Sequence, residues 1–222
     1  MKLGLLSAIL SEMDFRQAID LCAEIGFESM ETACWPKQEA TRRYAGVTHL
    51  DVNTLTLQQI TEELDYARRK NVPVCALAYY PNPLSADEAE RTVAVRHICR
   101  LIEVASETGV GLVNTFVGRD RFKTVEENLD LYEQVWEPIV KLAEKKRVRI
   151  AIENCPMIFS QDEWPGGNNL ASTPAIWDEM FRRIDSDCLG LNFDPSHCVI
   201  LDIDYIQPLY TYAKKIFHVH LK

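Results

Sequence analysis

The sequence predicts an α/β protein, a (β/α)8 barrel truncated after its seventh strand. Three observations lead there. Short apolar runs, suited to strands buried on both faces, alternate with amphipathic stretches of helical period. The first strand-to-helix turn lacks the glycine-rich phosphate loop of an open dinucleotide-binding sheet, because Gly4 stands alone. Polar and ionisable residues collect at the C-terminal ends of several different strands, which is where barrel sites are built.

Strand one is the apolar run Leu3 to Leu10. It reads as a buried strand and not a signal peptide, since no small-residue cleavage site follows and Ser11-Glu12-Met13-Asp14 leads into a helix. Phe15, Ile19, Cys22 and Ala23 line one face of helix one, and Gly26 closes it. Ser29 to Ala33 is strand two, followed by a loop through Trp35-Pro36 and the stretch from Tyr44 to Asn53. Thr56 with Gln59 forms a capping box for helix two, whose inner face is Ile60, Leu64 and Ala67. Val74 to Tyr80 is strand three, and Ala94, Ile98, Leu101, Ile102 and Ala105 mark helix three, stopped near Gly109.

Leu112 to Val117 is strand four. Helix four follows with Val125, Leu129, Tyr132, Trp136 and Ile139, and Pro138 is expected to kink it. Its end, Lys145-Lys146-Arg147, is a dipole-favoured cap and not a nucleic-acid patch. Val148 to Ile152 is strand five; Thr173-Pro174 opens helix five, with Ile176, Met180, Phe181 and Ile184 inward. Leu189 to Phe193 is strand six, Ile203, Ile206, Leu209 and Ala213 give helix six, and Ile216 to Leu221 is strand seven. A full barrel needs one more helix, strand and helix, so residues 1–222 read as a single domain lacking its last elements.

Composition narrows the function. A net charge of −9 disfavours a nucleic-acid backbone as partner, and no apolar run reaches the ~18 residues of a membrane span. Seven cysteines without a Cys-x-x-Cys pair indicate neither a disulfide framework nor a zinc ribbon, but packed, reduced thiols of a cytoplasmic protein.

Three strand ends carry the candidate chemistry. Strand five ends in Glu153-Asn154, strand six runs into Asp194-Pro195-Ser196-His197, and strand seven holds His218 and His220 on one face. Each has a plainer alternative: a loop salt bridge for Glu153, an Asx-turn for Asp194, a hydrogen-bonded core pair for the two imidazoles. Barrel geometry sets these strand ends side by side, however, and one Glu, one Asp and an imidazole make a mixed oxygen and nitrogen set suited to a divalent cation.

The pattern Ile152-Glu153-Asn154, Asn192-Phe193-Asp194-x-x-His197 and His218-Val219-His220-Leu221-Lys222 resembles the sugar phosphate isomerase/epimerase superfamily. That group has the xylose isomerase-like TIM barrel and includes ketose 3-epimerases, inosose dehydratases and the endonuclease IV branch. Lys2-Leu3-Gly4 and Gly26-Phe27-Glu28 add to the likeness. The resemblance implies Glu153, Asp194 and His220 as metal ligands, with Mn²⁺ first and Mg²⁺, Co²⁺ or Zn²⁺ as alternatives. It implies His197 as a catalytic contact to a substrate oxygen and His218 as support for His220. Glu153 would be ligand and base at once. Family epimerases pair it with a Glu on strand eight, beyond this sequence, and tagatose-type epimerases carry a second Glu where Phe159 stands here.

The implied function is a divalent-metal-dependent isomerase or epimerase of a ketose, polyol or sugar phosphate, working by proton abstraction next to a carbonyl through a metal-stabilised enediolate. An inosose-type dehydratase is the alternative; an endonuclease IV-type nuclease and a non-catalytic sugar-binding fragment rank below it. The nuclease branch places additional His at strands three and four, where this chain has Tyr79-Tyr80 and Asn114-Thr115. Trp35, Tyr79, Asn114 and Lys222 are the candidate substrate contacts, Glu31 and His49 are further residues near strand two, and Trp164 to Leu170 reads as a mobile lid. The implied partner is a small sugar, with no nucleic acid or membrane, in a chain that forms homo-oligomers as family members commonly do.

Overall fold

The computed structural model describes residues 2–37, 45–158 and 167–222. The described residues contain seven strands: β1 (Gly4–Leu6), β2 (Ser29–Ala33), β3 (Val74–Ala78), β4 (Leu112–Thr115), β5 (Arg149–Glu153), β6 (Leu189–Phe193) and β7 (Ile216–Val219). The helices are α1 (Phe15–Ile25), α2 (Leu57–Arg69), α3 (Glu88–Thr108), α4 (Val125–Lys146), α5 (Pro174–Arg183), α6 (Pro195–Ile200) and α7 (Gln207–Thr211). Strand order follows chain order, unlike the reversed order of a doubly wound sheet. The chain divides into two compact units, Met1–Tyr80 with Arg100–Val113, and Pro81–Cys99 with Asn114–Lys222.

In the first unit β1 pairs with β2 and β2 with β3, all parallel. The core is the apolar face of α1 (Phe15, Ala18, Ile19, Cys22) against Met30, Ala67 and Val72. Each of these larger side chains contributes about 1.5–3 kcal/mol by leaving water. Helix α1 starts at a reciprocal Asp14–Gln17 capping box and ends where Gly26 turns left-handed at φ 95°, a conformation that glycine adopts without strain. The expected Thr56–Gln59 box is present at the start of α2.

Strand one is shorter than its apolar run suggests. After Leu6 the chain tightens into a 3₁₀ turn over Ser7–Ile9. The cause is a buried polar chain. Ser7 Oγ accepts from the Ala33 amide at 2.9 Å and lies 3.1 Å from His49 Nδ1, while His49 Nε2 lies 3.2 Å from the Leu10 carbonyl. The carbonyl can only accept, so Nε2 carries the proton and Nδ1 accepts from Ser7. Burial pushes His49 below its ordinary pKa, against the Leu10 and Met13 carbonyls and the Asp14 charge.

In the second unit β5 pairs with β6 and β6 with β7, again parallel. Gly190 of β6 lets the β7 side approach, since a Cβ there would lie 2.2 Å from the Lys215 carbonyl oxygen and 2.6 Å from the Phe217 ring. Helix α4 runs through Pro138 as one element and buries Leu129, Tyr132, Trp136, Ile139 and Val140. Trp136 donates to the Val117 carbonyl at 3.0 Å. Trp177 of α5 donates to the Ala171 carbonyl at 2.7 Å and meets Phe193 and Tyr212 edge-on. The single helix expected over Ile203 to Ala213 is instead the last turn α7, preceded by α6, which starts on Asp194-Pro195. The Asp cap and Pro at the first helical position nucleate α6 directly behind β6.

Candidate active site

The site is built where β5, β6 and β7 end, within the second unit. Apolar residues along each strand fix which way it faces, and the first polar side chain beyond the apolar run is left at its C-terminal end. Glu153 is the last residue of β5, Asp194 follows β6 as the cap of α6, and His220 follows β7, its amide donating to the Phe193 carbonyl at 3.0 Å. Glu153 and His197 are buried, and Asp194 is 0% exposed.

Two asparagines hold this frame. Asn154 Oδ1 accepts from the Asp194 amide at 2.7 Å, and its Nδ2 donates to the Asp194 carbonyl at 2.9 Å. The side chain thus mimics a strand partner and extends the β5–β6 ladder by one residue. Asn169 accepts from the Val117 and Gly118 amides at 3.1 and 3.2 Å and donates to the Glu153 and Cys155 carbonyls at 2.9 and 2.7 Å. Sequence reasoning placed Asn154 in the strand-five motif and Asn169 in the expected lid but gave neither a framework role, because nothing local distinguishes a bonded loop asparagine from a solvated one.

Asp194 divides its two oxygens. Oδ1 accepts from the Ser196 amide at 2.9 Å and hydroxyl at 2.6 Å, which is the Asx cap of α6. Oδ2 faces the site, with Lys222 Nζ at 2.6 Å and His197 Nε2 at 3.3 Å, and forms no well-angled hydrogen bond. One oxygen therefore serves the Asx cap, and the other is left toward the side chains of Lys222 and His197. Glu153 Oε1 accepts from His220 Nδ1 at 3.1 Å and lies 3.5 Å from His197 Nε2 and 3.6 Å from Lys222 Nζ. Asn192 Nδ2 lies 3.2 Å from His220 Nε2, which fits an imidazole protonated at Nδ1.

Burial opposes ionisation of Glu153, but hydrogen bonds from His197 and His220 and the charges of His220 and Lys222 outweigh it, holding the carboxyl down at about 2. Burial likewise opposes a charged His197, which its hydrogen bonds to Cys155 and Glu153 push up to about 9 against the charge of Lys222. Lys222 Nζ stands 3.0 Å from His197 Nε2. An ammonium only donates, so this contact is a hydrogen bond only with Nε2 unprotonated, and the lysine and the imidazole proton compete for the same carboxylates.

Donor atoms of Glu153, Asp194 and His197 all lie within 4.8 Å of one another. This set fits a divalent cation: two carboxylate oxygens and an imidazole nitrogen converge, and one of the oxygens is a buried acceptor with no well-formed hydrogen bond. The nitrogen in that group is His197, the expected substrate contact, while His220, the expected ligand, hydrogen-bonds Glu153. His218 stands edge-on to His220, ring centroids 5.6 Å apart.

Of the expected substrate contacts, Lys222 joins the cluster. Asn114 lies in β4 with both amide atoms buried and without a hydrogen-bond partner among the described residues. Trp35 and Tyr79 belong to the first unit and pack edge-to-face at 5.8 Å; Tyr80 donates to Glu31 at 2.5 Å. His49 is consumed by the Ser7 network. Of the expected lid, Trp164, Pro165 and Gly166 lie outside the described residues, as does Phe159. Asn169 and Leu170 are buried and pinned, with the Leu170 amide donating to the Gly118 carbonyl at 2.9 Å, so this end of the segment is an anchor and not part of a lid.

The model of the xylose isomerase-like TIM barrel family matches residues 19–222. Among solved structures, the chain is similar to the probable 3-DHS dehydratase AsbF of Bacillus anthracis, with a TM-score of 0.75 and 17% identity over 99% of this chain and 72% of that one. It is similar to D-psicose 3-epimerase from Clostridium cellulolyticum H10, solved with D-tagatose, with a TM-score of 0.72 and 18% identity over 100% of this chain and 73% of that one. The IolI protein, solved with a bound zinc atom, matches with a TM-score of 0.70 and 19% identity over 100% and 72% of the two chains. At these identities the likeness to solved structures establishes the fold.

Proposed function

The chain belongs to the xylose isomerase-like TIM barrel family, and from that premise we propose that it is a divalent-metal-dependent isomerase or epimerase of a ketose, polyol or sugar phosphate. The observation that carries this reading is the convergence of Glu153, Asp194 and His197 donor atoms within 4.8 Å at the ends of parallel strands. Glu153 and Asp194 would hold the cation through one oxygen each. The resemblance implies His220 as the nitrogen ligand; it would bind through Nδ1 as the neutral tautomer that carries its proton on Nε2, which leaves His197 for a substrate oxygen. When bound, the cation supplies positive charge beside the carbonyl and neighbouring hydroxyl oxygens of the sugar, where negative charge develops as a proton leaves.

The rest falls to the chain itself. Glu153, ionised at neutral pH, accepts the proton next to the carbonyl. Asn154 and Asn169 keep the Asp194 and Glu153 backbones in register, so the two carboxylates meet the substrate from fixed positions. Asn114, Trp35 and Tyr79 are proposed as sugar contacts. The resemblance to AsbF, a probable dehydratase, favours a second reading in which the same proton abstraction expels a β-hydroxyl.

The test is incubation of Mn²⁺-loaded protein with a panel of ketoses, polyols and sugar phosphates in D₂O. Deuterium entering the substrate at the carbon beside the carbonyl, lost in Glu153→Gln, supports the proposal. Loss of one water from the product mass identifies the dehydratase, and no exchange on any sugar defeats both readings.

A further inference from the structure

We infer that the Lys222 ammonium is an internal counter-cation of the site, which a divalent ion must displace on entry. The inference rests on the metal reading above. Lys222 Nζ stands 2.6 Å from Asp194 Oδ2, 3.0 Å from His197 Nε2 and 3.6 Å from Glu153 Oε1. Those donors belong to the three residues whose ligand atoms fall within 4.8 Å of one another. One charged atom therefore rests against every member of the candidate ligand group. A metal ion bound by the same group would come into contact with the ammonium, and two cations so close on a buried carboxylate repel strongly. They exclude each other.

The structure also makes the exchange easy. The Lys222 side chain is 54% exposed while that of Asp194 is fully buried, so the lysine already meets water where its partner does not. Withdrawal breaks no core packing and returns the ammonium to solvent. Its partners are held elsewhere: Asp194 by the α6 cap and Asn154, Glu153 by its place on β5. A mobile cation against fixed anions is the arrangement of a placeholder. Without it, the metal-free site would leave the Asp194 oxygen without its nearest cation, and buried charge tolerates that poorly.

The consequence is quantitative. Metal binds only the fraction of molecules with Lys222 withdrawn, so apparent affinity falls by that fraction; if the lysine is seated about nine-tenths of the time, the loss is roughly tenfold. The experiment is calorimetric titration of the full chain with Mn²⁺, comparing the unaltered protein, Lys222→Met and Lys222→Arg, with thermal melts of each in EDTA and in saturating Mn²⁺. Lys222→Met is expected to bind Mn²⁺ about tenfold more tightly, and Lys222→Arg no more tightly than the parent. In EDTA, Lys222→Met melts below the parent, and saturating Mn²⁺ removes the deficit. Equal or weaker binding by Lys222→Met overturns the inference and leaves the metal reading standing. Absence of Mn²⁺ binding by all three proteins overturns that reading and the inference with it.

Discussion

Replacing Asn154 by alanine removes both hydrogen bonds that clamp the Asp194 backbone, at 2.7 and 2.9 Å. Asn154 and Asp194 are each 0% exposed, so no bulk water reaches the amide and carbonyl left behind. Each orphaned buried group costs about 1–3 kcal/mol, which places the total at about 2–6 kcal/mol. At roughly 2–4 °C per kcal/mol for a chain of this size, the melting temperature drops by roughly 4–24 °C. Urea denaturation followed by far-ultraviolet circular dichroism measures it: the midpoint falls with an unchanged slope. The variant should also bind Mn²⁺ more weakly, because Asp194 loses the partner that aims it. A loss below about 1 kcal/mol would show that the asparagine does not carry the frame assigned to it.

Two further outcomes follow from the same structure. His49 is held below its ordinary pKa, so the unfolded chain binds the proton more readily; the stability His49 contributes is fully present above its unfolded pKa of about 6.5 and is lost as pH falls toward the folded value. Urea midpoints of the parent should decline from pH 7 to 5 more steeply than those of His49→Gln, and parallel curves would remove the effect from His49. Gly190→Ala sets a Cβ 2.2 Å from the Lys215 carbonyl oxygen and against the Phe217 ring, backbone and aromatic atoms that cannot both yield. A loss of about 3 kcal/mol or more is expected, and an unshifted midpoint would mean that β6 and β7 do not pack this closely.

The alternation of strands and helices was legible because burial on both faces leaves continuous apolar runs, and because caps such as Thr56–Gln59 are local signals. Glu153, Asp194, His197 and His220 were legible for a related reason: each is the first ionisable group past an apolar strand or one turn beyond it. Element ends were less so. Strand one stops at Leu6 because Ser7 bonds to Ala33 and His49, partners 26 and 42 residues away. Helix six divides because Asp194-Pro195 starts a helix earlier than the apolar spacing of Ile203 to Ala213 suggests. The roles of Asn154 and Asn169 depend on backbone groups 14 to 52 residues distant, which periodicity cannot register. The contact between Lys222 and Asp194 is of the same long-range kind.

The measurement that bears most directly on the central proposal is an anomalous difference map from crystals of the protein soaked in Mn²⁺. A peak is expected within about 2–2.5 Å of Glu153 and Asp194 oxygens and an imidazole nitrogen, with the Lys222 ammonium moved away. Density for manganese at some other location, or none at all with Lys222 still seated on Asp194, would contradict that proposal.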